Sequence, residues 1–110
     1  MVFEPALSEI AVGDTITFAA TDKTHNAETI KGLLPDGAQP FKGKLSKDVT
    51  VAFDVPGVYA IKCLPHYSLG MAALVVVGGD LSNLPAIEAA KMPPLAARRL
   101  DPVFRTLGIE

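Results

Sequence analysis

A single cysteine in 110 residues rules out an internal disulfide, so the fold depends on its apolar core and the redox compartment is not legible from cysteine usage. There is no tryptophan, and the longest apolar stretch, MAALVVVGG, is far too short to span a bilayer. Charge of either sign is moderate, and a net charge of −2 gives no global reason to expect nucleic-acid binding, although it allows a local basic patch. VFEP follows Met1 directly, so no secretion leader is expected ahead of the domain in this chain. Apolar residues make up 49% of the chain, which excludes a disordered composition and fits one domain with its own core.

The first two thirds read as short strands between Gly, Pro and Asp turn signals. Asp14 to Phe18 (DTITF) and Val49 to Phe53 (VTVAF) alternate in polarity, the second ending at the turn sequence Asp54-Val55-Pro56-Gly57. Gly57 to Lys62 (GVYAIK) is expected to turn Val58, Ala60 and Lys62 to one face, and Tyr59 and Ile61 to the other. Ala72 to Val77 (AALVVV) is apolar throughout, as in a strand covered on both sides. This spacing predicts an all-β sandwich.

After Gly78-Gly79 the pattern changes. Ser82 or Asn83 is placed to cap a short helix reaching about Lys91, which Met92-Pro93-Pro94 ends. Leu95 to Leu107 predicts a second helix, with Ala96, Leu100, Val103, Phe104 and Leu107 on one face and Gly108 as the stop. Pro102 conflicts with a continuous helix, so a kink is expected there, with Asp101 capping a new turn. The expected organisation is one domain over 1–110, with a β-sandwich at 1–79 and a helical extension at 80–110 packed on it.

The chemistry gathers in KCLPHYSLGM, residues 62–71, where the only cysteine, one of two histidines and one of three methionines sit between two strands. Cys63, His66 and Met71 supply three donors from one loop. The fourth candidate is His25, in TDKTHN, which follows the DTITF strand and can reach the same end of a sandwich. Two imidazoles, a thiolate and a weak thioether form the donor set of a blue-copper electron-transfer centre. The sulfurs favour Cu(I), the imidazoles tolerate Cu(II), and the mixture accepts both. Zinc also suits Cys and two His, but has no use for the methionine, which tilts the choice to copper. A Cys-His hydrolase with Cys63 as nucleophile is disfavoured, because no orienting acid is identifiable.

At these residues the chain resembles the cupredoxins, the type 1 blue-copper proteins, and most closely their pseudoazurin branch. The similarity runs through VFEP, VGDTITF, TDKTHN, ETIKGLLPDGAQPFKGK, PGVYAIKCLPHYSLGM and the two C-terminal helices, which plastocyanin- and amicyanin-like members lack. It implies a cupredoxin-like Greek-key β-sandwich with two C-terminal α-helices, and copper on His25, Cys63, His66 and Met71. It further implies that the Asn26 backbone amide donates to the cysteine sulfur while its side chain ties the ligand loops together. Pro65 lacks an amide hydrogen and so withholds a second donor from that sulfur.

The resemblance also implies an electron exit at His66 through an apolar patch, for which Leu34, Pro35, Pro65 and Leu69 are candidates. Lys23, Lys42, Lys44 and Lys62 are expected to ring it and to steer acidic redox partners, such as copper nitrite reductase or a c-type cytochrome. Contacts would be weak and transient, with a monomer working in the periplasm. The alternative function is a copper or zinc storage module without redox cycling. The chain departs from the family at Thr24, Leu64 and Pro102, and it is expected to lack the N-terminal strand that precedes VFEP.

Overall fold

The computed structural model describes residues 5–19 and 25–108. Lys23 and Thr24 lie outside these residues, as does the start of the chain, where the family's first strand is expected to be missing. The central pair of strands is the one the composition marks most clearly. Strand β5 (Gly57–Lys62) runs antiparallel to β6 (Ala72–Val77), and both are buried on two sides. Strand β1 (Leu7–Ile10) flanks β6 in parallel, and the two-residue strand β3 (Glu28–Thr29) flanks β5, giving a four-stranded sheet in the order β1-β6-β5-β3. A second sheet pairs β2 (Thr15–Phe18) with β4 (Val49–Ala52).

Alternation along β5 and β6 divides the core into two layers. Tyr59, Ile61, Val75 and Val77 point between the sheets, where they meet Phe53 and the inward residues Ile16, Phe18, Val49 and Val51 of the small sheet. Phe41, Phe53 and Tyr59 stack edge-to-face across this layer, with centroids 6.3 and 4.9 Å apart. Val58, Ala60, Ala72, Leu74 and Val76 face the opposite way, onto helices α1 (Leu84–Ala89) and α2 (Pro94–Thr106). The unbroken AALVVV run follows from this: one face is covered by the second sheet and the other by the helices.

Helix α2 buries Ala96, Leu100, Val103 and Phe104, with Leu107 packed at the margin, and ends at Gly108. It differs from the sequence reading at Pro102, where the helix continues rather than restarting at Asp101. Proline costs one hydrogen bond there, and the buried stripe on either side holds the helix in register. The Asp101–Arg105 ion pair at 2.8 Å spans the position, but on an exposed face, where such pairs contribute little.

Asn83 precedes α1 but makes no side-chain cap. Its amide instead brackets Val58, accepting from the Val58 N–H at 2.8 Å and donating to the Val58 carbonyl at 2.8 Å. Strand β3 reaches only Ile61 and Lys62, so among the described residues the outer edge of β5 at Val58 has no strand neighbour. The asparagine amide, with one donor and one acceptor, takes the place of one. Val58 is fully buried, so removal of the amide leaves two polar groups without a partner. Asn83→Ala is expected to destabilise the fold by about 2–5 kcal/mol, read as a lower urea midpoint with an unchanged slope.

Candidate metal centre

Cys63 directly follows β5, and Met71 directly precedes β6. The Cys63 N–H donates to the Met71 carbonyl at 3.1 Å and the Met71 N–H to the His66 carbonyl at 3.2 Å, closing a loop whose interior is a 3-10 helix over Leu64–Leu69. Pro65 lies in the first turn of that helix, where its missing N–H is harmless. Gly70 ends it in the left-handed region (φ 95), and a Cβ there would come 3.1 Å from the Leu95 carbonyl of α2. The left-handed backbone favours glycine at position 70, and the nearby carbonyl makes any side chain there a tight fit.

His25 arrives from the other side. The β3–β5 register pairs Glu28 with Lys62, so the residues just before Glu28 run beside those just after Lys62. Residues 25–27 are held from behind by donations from the Ser46 N–H to the His25 carbonyl and from the Gly43 N–H to the Ala27 carbonyl, both at 2.8 Å.

The two segments bring all four expected donors together. Cys63 Sγ lies 3.5 Å from His66 Nδ1 and 4.0 Å from His25 Nδ1, and His25 Nδ1 lies 3.1 Å from Met71 Sδ. The donor atoms of His25, Cys63 and His66 all fall within 4.8 Å of one another, and the two imidazole centroids are 4.5 Å apart. A thiolate and an imidazole sharing one small ion, with bonds of the length seen around zinc, sit about 3.6 Å apart. The observed spacing fits such an ion. Cys63 is free of any disulfide and fully buried, Met71 is buried, and His25 and His66 are partly exposed.

Asn26 knits the segments together. Its backbone N–H points at Cys63 Sγ (3.4 Å), and its side-chain oxygen accepts from the Leu64 N–H (2.8 Å). Its side-chain nitrogen donates to the Glu28 carboxylate (3.0 Å) and the Gly43 carbonyl (3.1 Å). Sequence reading passed over Glu28; the only available signal was an acid two residues after Asn26 on a strand that proves to be buried.

Residues of the family of copper binding proteins that comprises plastocyanin and azurin match this chain over 1–78. The chain belongs to that family. It is 51% identical to pseudoazurin from Methylorubrum extorquens over 104 residues (94% of this chain, 70% of the relative), and 48% identical to pseudoazurin from Paracoccus pantotrophus over 101 residues (92% and 70%). The chain spans about two thirds of the length of the curated relatives it matches. The crystal structure of pseudoazurin from Methylobacterium extorquens AM1 superposes with a TM-score of 0.94 at 50% identity, covering 97% of this chain and 87% of that one. Family and geometry together make His25, Cys63, His66 and Met71 a type 1 copper site, and the chain a type 1 copper electron-transfer protein.

The surface around the site differs in part from the sequence reading. Leu69 is exposed (52%), and so are Pro65 and Leu64 (48%), all on the 3-10 helix that carries His66. Pro35 is not part of that surface. It is buried against Gly57, whose added Cβ would clash with the Pro35 ring, at the end of β5 roughly 16 Å from Lys62. Leu34 is half-buried and packs on the core layer between the sheets. Lys42 and Lys44 are exposed, whereas Lys62 is partly buried with its ammonium 5.2 Å from the centre of the Tyr67 ring. Burial pushes the Tyr67 phenol above its ordinary pKa, so the ring stays neutral under the lysine.

Among the described residues the backbone amide pointing at Cys63 Sγ is that of Asn26, and Pro65 offers none. A thiolate with fewer donors is more electron-rich and favours Cu(II). Pro65→Ala supplies an N–H in this loop and is expected to raise the reduction potential, measured by voltammetry, with the visible spectrum retained.

Proposed function

We propose that this protein carries single electrons between soluble redox proteins by docking its His66 end on an acidic partner surface. The observation that supports this most directly is the placement of His66, whose Nδ1 lies 3.5 Å from the buried Cys63 sulfur while the residue is partly exposed on a 3-10 helix that also exposes Leu64, Pro65 and Leu69. A bound copper ion supplies a one-electron Cu(I)/Cu(II) couple. Cys63, fully buried, keeps the thiolate away from water and external oxidants. Of the two partly exposed histidines, His66 lies nearer to that sulfur, at 3.5 Å against 4.0 Å for His25. The exposed leucines present a small apolar contact that sheds water on docking, and a contact of that size separates readily.

The lysines give the encounter its direction. Lys42 and Lys44 are exposed on the segment that supports His25 and Asn26, Lys62 adjoins Cys63, and Lys23 lies two residues before His25 in sequence. Fixed positive charge on one end of a chain with net charge −2 steers acidic partners over about 10 Å at 0.1 M salt. Under this reading the acceptor is a copper nitrite reductase and the donor a c-type cytochrome, met as a monomer in the periplasm, with no substrate turned over. Residues 1–79 carry the site, and 80–110 act with them as one domain.

Loading the apo-protein with Cu(II) is expected to produce intense thiolate-to-copper visible absorption that ascorbate bleaches reversibly, and Cys63→Ser to abolish it. A colourless, rapidly exchanging complex would instead mark a copper or zinc storage module. Electron transfer to an acidic partner is expected to slow as ionic strength rises, and to slow at low salt in Lys42→Glu or Lys44→Glu. Rates indifferent to salt would remove the lysines from the account.

A further inference from the structure

The side-chain amide of Asn26 has three bonds that must all be oriented one way. Its oxygen faces the Leu64 N–H, a donor, while its nitrogen faces two acceptors, Glu28 Oε1 and the Gly43 carbonyl. Reversed, the amide would set donor against donor at Leu64 and acceptor against acceptor at the other two. An ionised carboxylate can only accept, and a hydrogen bond to it is roughly twice as strong as one to a neutral carbonyl. Glu28 is therefore the stronger of the two groups that fix the amide.

Glu28 is also in an expensive place. It is only 9% exposed, on a two-residue strand where a threonine or valine would pack without desolvating a charge. Its neighbours in register are Lys62 on one side and Lys42 on the other.

Resting on the copper-site reading above and deepening it, we propose that Glu28 is a positioning residue for the Cys63 sulfur. It acts through Asn26: the carboxylate sets the orientation of the amide, the amide pins Leu64 at the start of the ligand loop, and the same residue's backbone N–H is held on the sulfur. The chain Glu28–Asn26–Cys63 thereby controls how much hydrogen-bond donation the thiolate receives.

Amide hydrogen exchange on the metal-free protein tests this independently of any electron transfer. In Glu28→Ala, protection at Asn26 and Leu64 is expected to fall about tenfold, while Leu74 and Val75 of β6 keep theirs. Glu28→Gln retains a carbonyl acceptor and is expected to keep most of the protection. With Cu(II) bound, Glu28→Ala is expected to shift the thiolate-to-copper band and the reduction potential, and Glu28→Gln to leave the band in place. If Glu28→Ala does not fold, Glu28→Asp decides: its charge is kept but its side chain is one methylene too short, and the same local loss is expected. Unchanged exchange at Asn26 and Leu64 in the folded variant would overturn the proposal, as would a loss shared equally by Leu74 and Val75. Neither result would touch the electron-carrier reading, which fails only if the copper form does not cycle.

Discussion

Two residues of strand pairing carry an unusual share of the architecture. Glu28 opposite Lys62 and Thr29 opposite Ile61 form the whole of the β3–β5 ladder, and its antiparallel sense brings His25 to within 4.0 Å of a sulfur 38 positions away. So short a ladder is weak alone. It is reinforced from outside by the Thr29 N–H on the Phe41 carbonyl at 3.0 Å, and by the Gly43 and Ser46 amides on the segment that bears the histidine. A slip of one residue would turn Glu28 and Thr29 to opposite faces and carry the Asn26 amide off the sulfur. Register here is thus a condition of the chemistry as much as of the fold.

The rest of the frame makes that register stiff. Strands β5 and β6 are packed on both faces, so the two ends from which the ligand loop springs have little freedom. Donors that suit two oxidation states unequally need such a frame, because ligands that stay in place minimise rearrangement when charge changes. The buried thiolate, the two imidazoles at the margin and the Asn26 bonds are consequences of one arrangement: a rigid strand pair closed at one end by a short helical loop.

Much of this is legible in the sequence where residue type alone is decisive. GVYAIK and AALVVV have no polar alternative to a covered strand, and α2 shows its buried stripe at helical spacing. The four ligands are legible because cysteine, histidine and methionine are scarce here and cluster by chemistry. Other features depend on tertiary context. LSEI, which forms β1, carries a serine and a glutamate and becomes a strand by pairing with β6. Asn83 has the profile of a helix cap, and only the free edge at Val58 redirects it. Pro35 reads as a surface loop residue until Gly57 opens a space for it. Glu28 is passed over in the sequence, because nothing local indicates that Asn26 needs an acceptor.

The contact between Gly70 and the first turn of α2 bears on the order in which the protein is made. The ligand loop rests against a helix that follows it in the chain, with the Leu95 carbonyl 3.1 Å from where a side chain at position 70 would start. A growing chain thus presents its histidines, thiol and thioether before their backing exists. The backing of the loop is therefore complete only once the residues of α2 have been made.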